Sequence, residues 1–182
     1  MALRLVAVVL LALLVGGCGG RAVGRPGPTD TTTDGPLGAA DGVIADDAGI
    51  SPFDTGLPAI AKLDAGLLDA VQKAATDAAA KGITMRVTSG WRSKAYQQQL
   101  LDDAVRTYGG MNEARKHVAT PDASHHITGK AVDIGPTNAD DWLQRHGADY
   151  GLCQAYANEM WHFELVVAPG LTCPQPLPDA AS

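Results

Sequence analysis

No run of lysine or arginine occurs anywhere in the 182 residues, and the formal net charge is −6. A nucleic-acid footprint is therefore absent, and adhesion to anionic lipid through charge alone is not expected. No apolar stretch reaches the ~20 residues that a bilayer-spanning helix needs. Internal repeats are also missing, which sets solenoid and propeller architectures aside. Cysteine is scarce: Cys18, Cys153 and Cys173 are the full set. What is present is a hydrophobic fraction of 46%, enough for one domain of ordinary size with appendages.

The appendages lie at the ends. Arg4 precedes the apolar run Leu5 to Val15, which has the length of a signal-peptide core. The following Val15-Gly16-Gly17-Cys18 resembles a bacterial lipobox, which implies cleavage after residue 17 and a lipidated Cys18. The expected product is exported and anchored by lipid to the outer face of the bacterial cytoplasmic membrane, facing the cell wall. From residue 18 to 58 the chain is dominated by Gly, Pro, Thr, Asp and Ala; it buries too little to offset its ordering entropy and reads as a disordered tether. Within it, Val43 to Pro58 is the part able to pack on the domain as an arm. The folded domain is expected over 59–174, with a loose proline-containing tail at 175–182. With Cys18 taken by lipid, the remaining pair Cys153 and Cys173 is expected to form a disulfide in an oxidising compartment.

Inside the domain, Asp64 is placed to cap a helix whose apolar residues Leu67, Leu68, Val71, Ala74, Ala75 and Ala78 recur at helical spacing, ended by Lys81-Gly82. Alternation in Ile83 to Thr88 predicts a strand, and Ser89-Gly90-Trp91-Arg92-Ser93 turns the chain off it. A helix is predicted from Lys94 to Thr107, and a shorter one over Met111 to His117. Lys130 to Ile134 reads as a strand, followed by a short helix capped by Asn138; Tyr150 to Tyr156 and Trp161 to Val167 read as two more strands. Connections between the last strands are too short for parallel crossovers. The expected fold class is α+β, a small antiparallel sheet flanked by helices.

Two stretches carry chemistry. Ser124 to Asp133 holds His126 and Asp133 seven residues apart, with Gly129 as the turn between them. Period-two geometry sends Val132 and Ile134 to the core and Asp133 to the cleft. The same rule groups Trp161, Phe163 and Leu165 on the apolar side and sends His162 the other way, with Glu164. Two histidines and one aspartate make a zinc site with a position left open for water. Glu159 is the candidate base, provided that Asn158-Glu159 bends ahead of the strand. Trp91 and Trp161 are expected in the core more readily than as substrate platforms. Tyr156 is open to either packing or hydrogen bonding to a reacting substrate. His125 is the alternative ligand beside His126, while His117 and His146 read as surface residues.

Three ordered motifs, Ser-Gly-Trp-Arg-Ser at 89–93, Ser-x-His-x-x-Gly-x-Ala-x-Asp at 124–133 and Glu-x-x-His at 159–162, resemble the D-alanyl-D-alanine carboxypeptidase family of VanY type. The resemblance covers about residues 67 to 165. It implies Zn²⁺ bound by His126, Asp133 and His162, with Glu159 as catalytic base. It also implies that Arg92 engages the terminal carboxylate or carbonyl of a peptidoglycan stem peptide, with Ser124 and Gln97 as further substrate-side residues. The implied fold is shared with lysostaphin-type endopeptidases and hedgehog domains, and a monomer is expected. Met160 stands where many relatives carry proline. Three rival functions share these residues: an L,D-carboxypeptidase, an endopeptidase acting within cross-links, and a non-catalytic zinc-containing wall-binding module. A purely structural zinc site is disfavoured because such sites usually take four protein ligands.

Overall fold

A computed structural model describes residues 36–182. The segments read as a signal peptide, the lipidated Cys18 and the first part of the tether lie outside the described residues. Asp64 accepts hydrogen bonds from the amides of Gly66 and Leu67 and so opens the long helix Ala65–Ala79. That helix is α2, because a single turn, α1 (Pro58–Ala61), precedes it. Leu67, Ala70, Val71, Ala74, Ala75 and Ala78 are its buried stripe. The stripe ends where Ile83 N–H returns to the carbonyl of Ala78 (3.0 Å) around Gly82 in the left-handed region.

Four strands follow: β1 (Arg86–Ser89), β2 (Ala131–Gly135), β3 (Leu152–Gln154) and β4 (His162–Leu165). They form one antiparallel sheet in the order β1-β2-β4-β3. The first strand begins later than alternation predicts. The amide of Ile83 is committed to α2, and pairing with β2 starts only at Arg86 opposite Gly135.

Three more helices complete the domain: α3 (Lys94–Tyr108), α4 (Met111–Ala114) and α5 (Thr137–His146). Ser93 caps α3 by accepting from Tyr96 N–H, and Gly109 ends it in the left-handed region. The expected Asn138 cap is corrected: α5 starts two residues earlier than that cap implies, at Thr137 directly after Pro136, without a side-chain cap.

One sheet face carries the core. Val87, Val132, Ile134, Leu152 and Phe163 pack with the buried stripe of α2 and with Trp142 and Leu143 of α5. Each fully buried side chain of this kind contributes ~1.5–3 kcal/mol, so this layer holds the sheet to its helices. Leu101 and Ala104 of α3 with Ala114 of α4 form a separate small cluster. Within the described part of the tether, Val43 to Pro58 packs on the domain as an arm. Ile50 exchanges both backbone hydrogen bonds with Val87 (2.9 and 2.8 Å), Pro52 is buried, and the Pro52 carbonyl accepts from Gln72 Nε2 (2.9 Å). The domain boundary at residue 58 is thus too late. A few apolar residues in a polar, Gly-rich stretch suffice when a sheet edge is available to pair with. The tail is not loose either, since Leu177 pairs alongside Tyr156.

Candidate metal centre and cleft

On β2 and β4, Asp133 and His162 sit directly opposite each other in register, on the face away from Val132 and Phe163. His126 comes from a 3-10 turn, His125–Thr128, that ends in Gly129 at φ +70°. A Cβ at Gly129 would collide with the carbonyl of Lys62, so the turn that delivers His126 requires glycine for space as well as conformation. The loop after β1 is bolted to this turn. Trp91 Nε1 donates to the Ile127 carbonyl (3.0 Å), Arg92 N–H to the His126 carbonyl (3.2 Å), and His126 Nδ1 to the Gly90 carbonyl (2.8 Å).

His126 Nε2, Asp133 Oδ1 and His162 Nδ1 form a triangle with sides of 3.3, 3.1 and 3.4 Å. A tetrahedral zinc with bonds of about 2.0–2.1 Å separates its ligands by about 3.3–3.4 Å, so the three donor atoms fit such an ion as they stand. Both remaining imidazole nitrogens are tied: His126 Nδ1 to Gly90 and His162 Nε2 to Glu164 Oε1 (3.0 Å). These bonds hold the hydrogen of each neutral ring on its outward nitrogen, so that the metal-facing nitrogen is the one able to ligate. His125, the alternative ligand, points elsewhere: it is exposed, and its Nδ1 bonds Glu164 Oε2 at 2.8 Å.

Glu159 lies in the required bend, where its N–H reaches the Tyr156 carbonyl and its carbonyl accepts from His162 N–H (both 3.2 Å). Its Oε2 is 3.7 Å from His162 Nδ1, and its Oε1 is buried without a partner. Burial, with Asp133 nearby, raises its pKa to about 7 against the pull of His162 and Arg92. Burial also opposes protonation of His162, but hydrogen bonds to Asp133 and Glu164 prevail and raise it to about 9 in the ion-free site. His126 is shifted down by burial and by Arg92. Burial works against the Asp133 carboxylate, yet the histidines and Arg92 beside it hold it well below the usual carboxylate range.

Arg92 is more deeply engaged than its resemblance-based role implies. Its Nε donates to Ser89 Oγ (2.7 Å), one terminal nitrogen to Gln97 Oε1 (3.1 Å) and the other to Asp133 Oδ2 (2.7 Å). A shift of register between Val87 and Ser89 brings Ser89 opposite Asp133 and so makes this possible. Gln97 is 1% exposed and passes its Nε2 hydrogen to the Ala119 carbonyl (2.8 Å). Gln97 also lines the cleft, and its amide braces Arg92 from there. Ser124 lines the cleft while its carbonyl accepts from Ile127 N–H.

The cleft itself has a volume of about 180 Å³. Trp161 is part of its wall and 44% exposed; the core placement fails because Trp161 lies in the turn before β4, where strand alternation does not hold. Tyr156 also lines it, its ring 5.0 Å from that of His162. His117 is exposed and stacks on Tyr108, yet reaches the cleft wall; His146 is exposed beside Trp142. Behind the sheet edge, Cys153 and Cys173 form the expected disulfide, with Cα atoms 5.6 Å apart. Two contributors went unassigned in the sequence. Glu164 was legible as sharing the face of His162, the only signal for it; Ser89 depends on a bulge that leaves no sequence signature.

Two histidines, one aspartate and an adjacent free carboxylate have the make-up of a hydrolytic zinc centre. The model of the VanY family, D-alanyl-D-alanine carboxypeptidase, matches residues 60–168, and the chain belongs to this family. A D-alanyl-D-alanine carboxypeptidase of Enterococcus faecalis (strain ATCC 700802 / V583) is 31% identical over an alignment of 117 residues that takes in 49% of this chain and 42% of the relative. The chain thus spans less than half the length of that curated relative. Among solved structures, the vancomycin-resistance D,D-pentapeptidase VanY from a VanB-type cassette, determined as a variant with Zn(II), aligns with a TM-score of 0.55 at 26% identity, covering 58% of this chain and 73% of the other. The same comparison holds for VanYB in complex with D-alanine-D-alanine, with 72% of that chain covered. The LdcB LD-carboxypeptidase aligns with a TM-score of 0.51 at 26% identity, over 57% and 59% of the two chains. The expected antiparallel α+β fold with zinc-peptidase neighbours is therefore what the chain adopts.

Proposed function

We propose that this protein is a zinc-dependent D,D-carboxypeptidase that removes the C-terminal D-alanine from peptidoglycan stem peptides. The observation that carries this is the triangle of His126, Asp133 and His162, matched to a tetrahedral zinc, with the unpartnered Oε1 of Glu159 beside it. A zinc ion held there supplies Lewis acidity and makes water a nucleophile near neutral pH. Glu159 accepts the proton from the attacking water and returns it to the leaving amine, a task suited to a carboxylate whose pKa is lifted to about 7. Arg92 has five N–H donors, of which three are committed; the two that remain serve the substrate's carbonyl or terminal carboxylate, and Ser124 adds a hydroxyl to the cleft. A family that includes a D-alanine-D-alanine complex supports the substrate class.

Incubating the zinc-loaded protein with a pentapeptide and a tetrapeptide stem tests this directly. D-alanine released from the pentapeptide supports the proposal; release from the tetrapeptide alone would establish the L,D reading, which the likeness to LdcB keeps in contention. A binding module without catalysis predicts that Glu159→Gln leaves every peptide untouched to the same degree as the parent.

Export and anchoring through Cys18 belong to the same proposal. The disulfide between Cys153 and Cys173 supports an oxidising compartment. Replacing Cys18 by serine is expected to move the protein from the membrane fraction to the soluble one.

A further inference from the structure

The family match ends at residue 168, and the chain beyond it comes back to the cleft. Cys173 is tied to β3 by the disulfide. Leu177 N–H donates to the Ala155 carbonyl (2.9 Å) and its own carbonyl accepts from Ala157 N–H (2.7 Å), directly before the bend that carries Glu159. The last residues fold on themselves, with Ala181 N–H and Ser182 Oγ both bonding Asp179 Oδ1 (2.9 and 3.1 Å). Asp179 and Ala180 are half-buried, and Ala180 is part of the cleft wall.

The two ends of the cleft differ. At one end Arg92, Gln97 and Ala119 are joined by hydrogen bonds, and the adjoining Lys116 carbonyl accepts from Asn158 Nδ2 (2.9 Å). Leu177 bonds on either side of Tyr156, next to Asn158, and this brings the tail and Ala180 to the same end of the cleft. At the other end His125 belongs both to the cleft and to a second groove of about 370 Å³ bounded by Lys130, Glu164 and Leu165. One end is therefore closed by the tail beside the cation best suited to a carboxylate, and the other runs on into open space.

We propose that residues 177–182 are a specificity-determining wall: they close the Arg92 end behind the residue being removed, so that peptides terminating there are accepted and peptides continuing past it meet Ala180. This rests on the carboxypeptidase reading and adds the polarity of the bound peptide, whose body lies towards His125 and the second groove.

The test uses the zinc-loaded protein, a variant stopped after Pro178, which keeps Leu177 and the disulfide, and Ala180→Trp. Each is given a peptide ending in D-Ala-D-Ala with a free carboxylate and the same peptide extended by one glycine. The truncation is expected to raise kcat/KM for the extended peptide relative to the free acid by about tenfold or more, and Ala180→Trp to lower kcat/KM for the free acid by about tenfold, chiefly through KM, with zinc stoichiometry unchanged. A ratio within about twofold of the parent after truncation, or an unaltered free-acid reaction in Ala180→Trp, overturns the wall. A parent protein that releases D-alanine from neither peptide overturns the carboxypeptidase reading instead. The wall is then still read by calorimetry, where truncation must raise affinity for the extended peptide about tenfold relative to the free acid, and an unchanged ratio rejects it.

Discussion

Glu164 holds His162 from behind: its Oε1 accepts from His162 Nε2 at 3.0 Å, on the side of the ring opposite the nitrogen that faces Asp133 and His126. Such a carboxylate fixes the ring and raises its basicity as a ligand. Glu164→Ala is expected to weaken zinc binding about 10–100-fold, with Glu164→Gln recovering part of the loss by keeping an acceptor. Competition against a chelator of known affinity measures both. Equal loss in the two variants would assign the effect to charge and not to ring orientation.

Glu159→Gln separates metal binding from chemistry. The carboxylate stands 3.7 Å from His162 Nδ1 and is not one of the three converging donors. Peptide cleavage is expected to fall about 10²–10⁴-fold while zinc content stays intact. Loss of zinc from this variant would show that Glu159 is a ligand and not a base.

Arg92 joins Ser89, Gln97 and Asp133 through three different nitrogens, a geometry that a lysine ammonium does not reproduce. Arg92→Lys is expected to cut kcat/KM by about tenfold or more. Arg92→Ala, which leaves the buried Asp133 carboxylate with His162 as its cationic partner, is expected to destabilise the ion-free protein by about 1–3 kcal/mol. Denaturant titration with and without zinc distinguishes the two effects.

The titration of the ion-free site sets a pH trend. His162 is raised to about 9 and Glu159 to about 7, so each binds protons more tightly folded than unfolded. The stability contributed by Glu159 is present below its ordinary 4.5 and lost as pH rises through 7; that from His162 is present below 6.5 and lost as pH rises through 9. The ion-free protein should therefore melt at lower temperature at pH 9.5 than at pH 6. Zinc must displace the proton on His162, so the increase in melting temperature on adding zinc should grow over the same interval. Thermal scans at the two pH values, with and without zinc, measure both trends.

Gly129→Ala combines a left-handed φ of +70° with a collision against the Lys62 carbonyl. A loss of about 1–3 kcal/mol is expected, accompanied by weaker zinc binding because the same turn presents His126. Equilibrium unfolding and chelator competition should move together.

Helical and strand periodicity made α2, α3 and the two site-bearing strands legible, because each buries a regular face. The ligands were legible for a related reason: strand alternation alone puts Asp133 and His162 on the face that Val132 and Phe163 leave. The missed features depend on partners distant in sequence. The arm read over Val43 to Pro58 takes its exact seat from Val87 and Gln72, Trp161 is exposed because its turn stands ahead of β4, and Gln97 turns inward to hold Arg92. Local composition carries no trace of these encounters.

The link between the Gly90 loop and the His126 turn runs almost entirely through main-chain carbonyls, those of Gly90, His126 and Ile127. A carbonyl is present whatever side chain its residue bears, so substitution cannot delete these acceptors. The rim of the cleft, by contrast, is made of side chains such as Trp161, Tyr156 and His117. Changes at the rim therefore leave those acceptors in place, and substitution reaches the metal seat only through the donors Trp91 Nε1 and His126 Nδ1 and through Gly129 and Glu164.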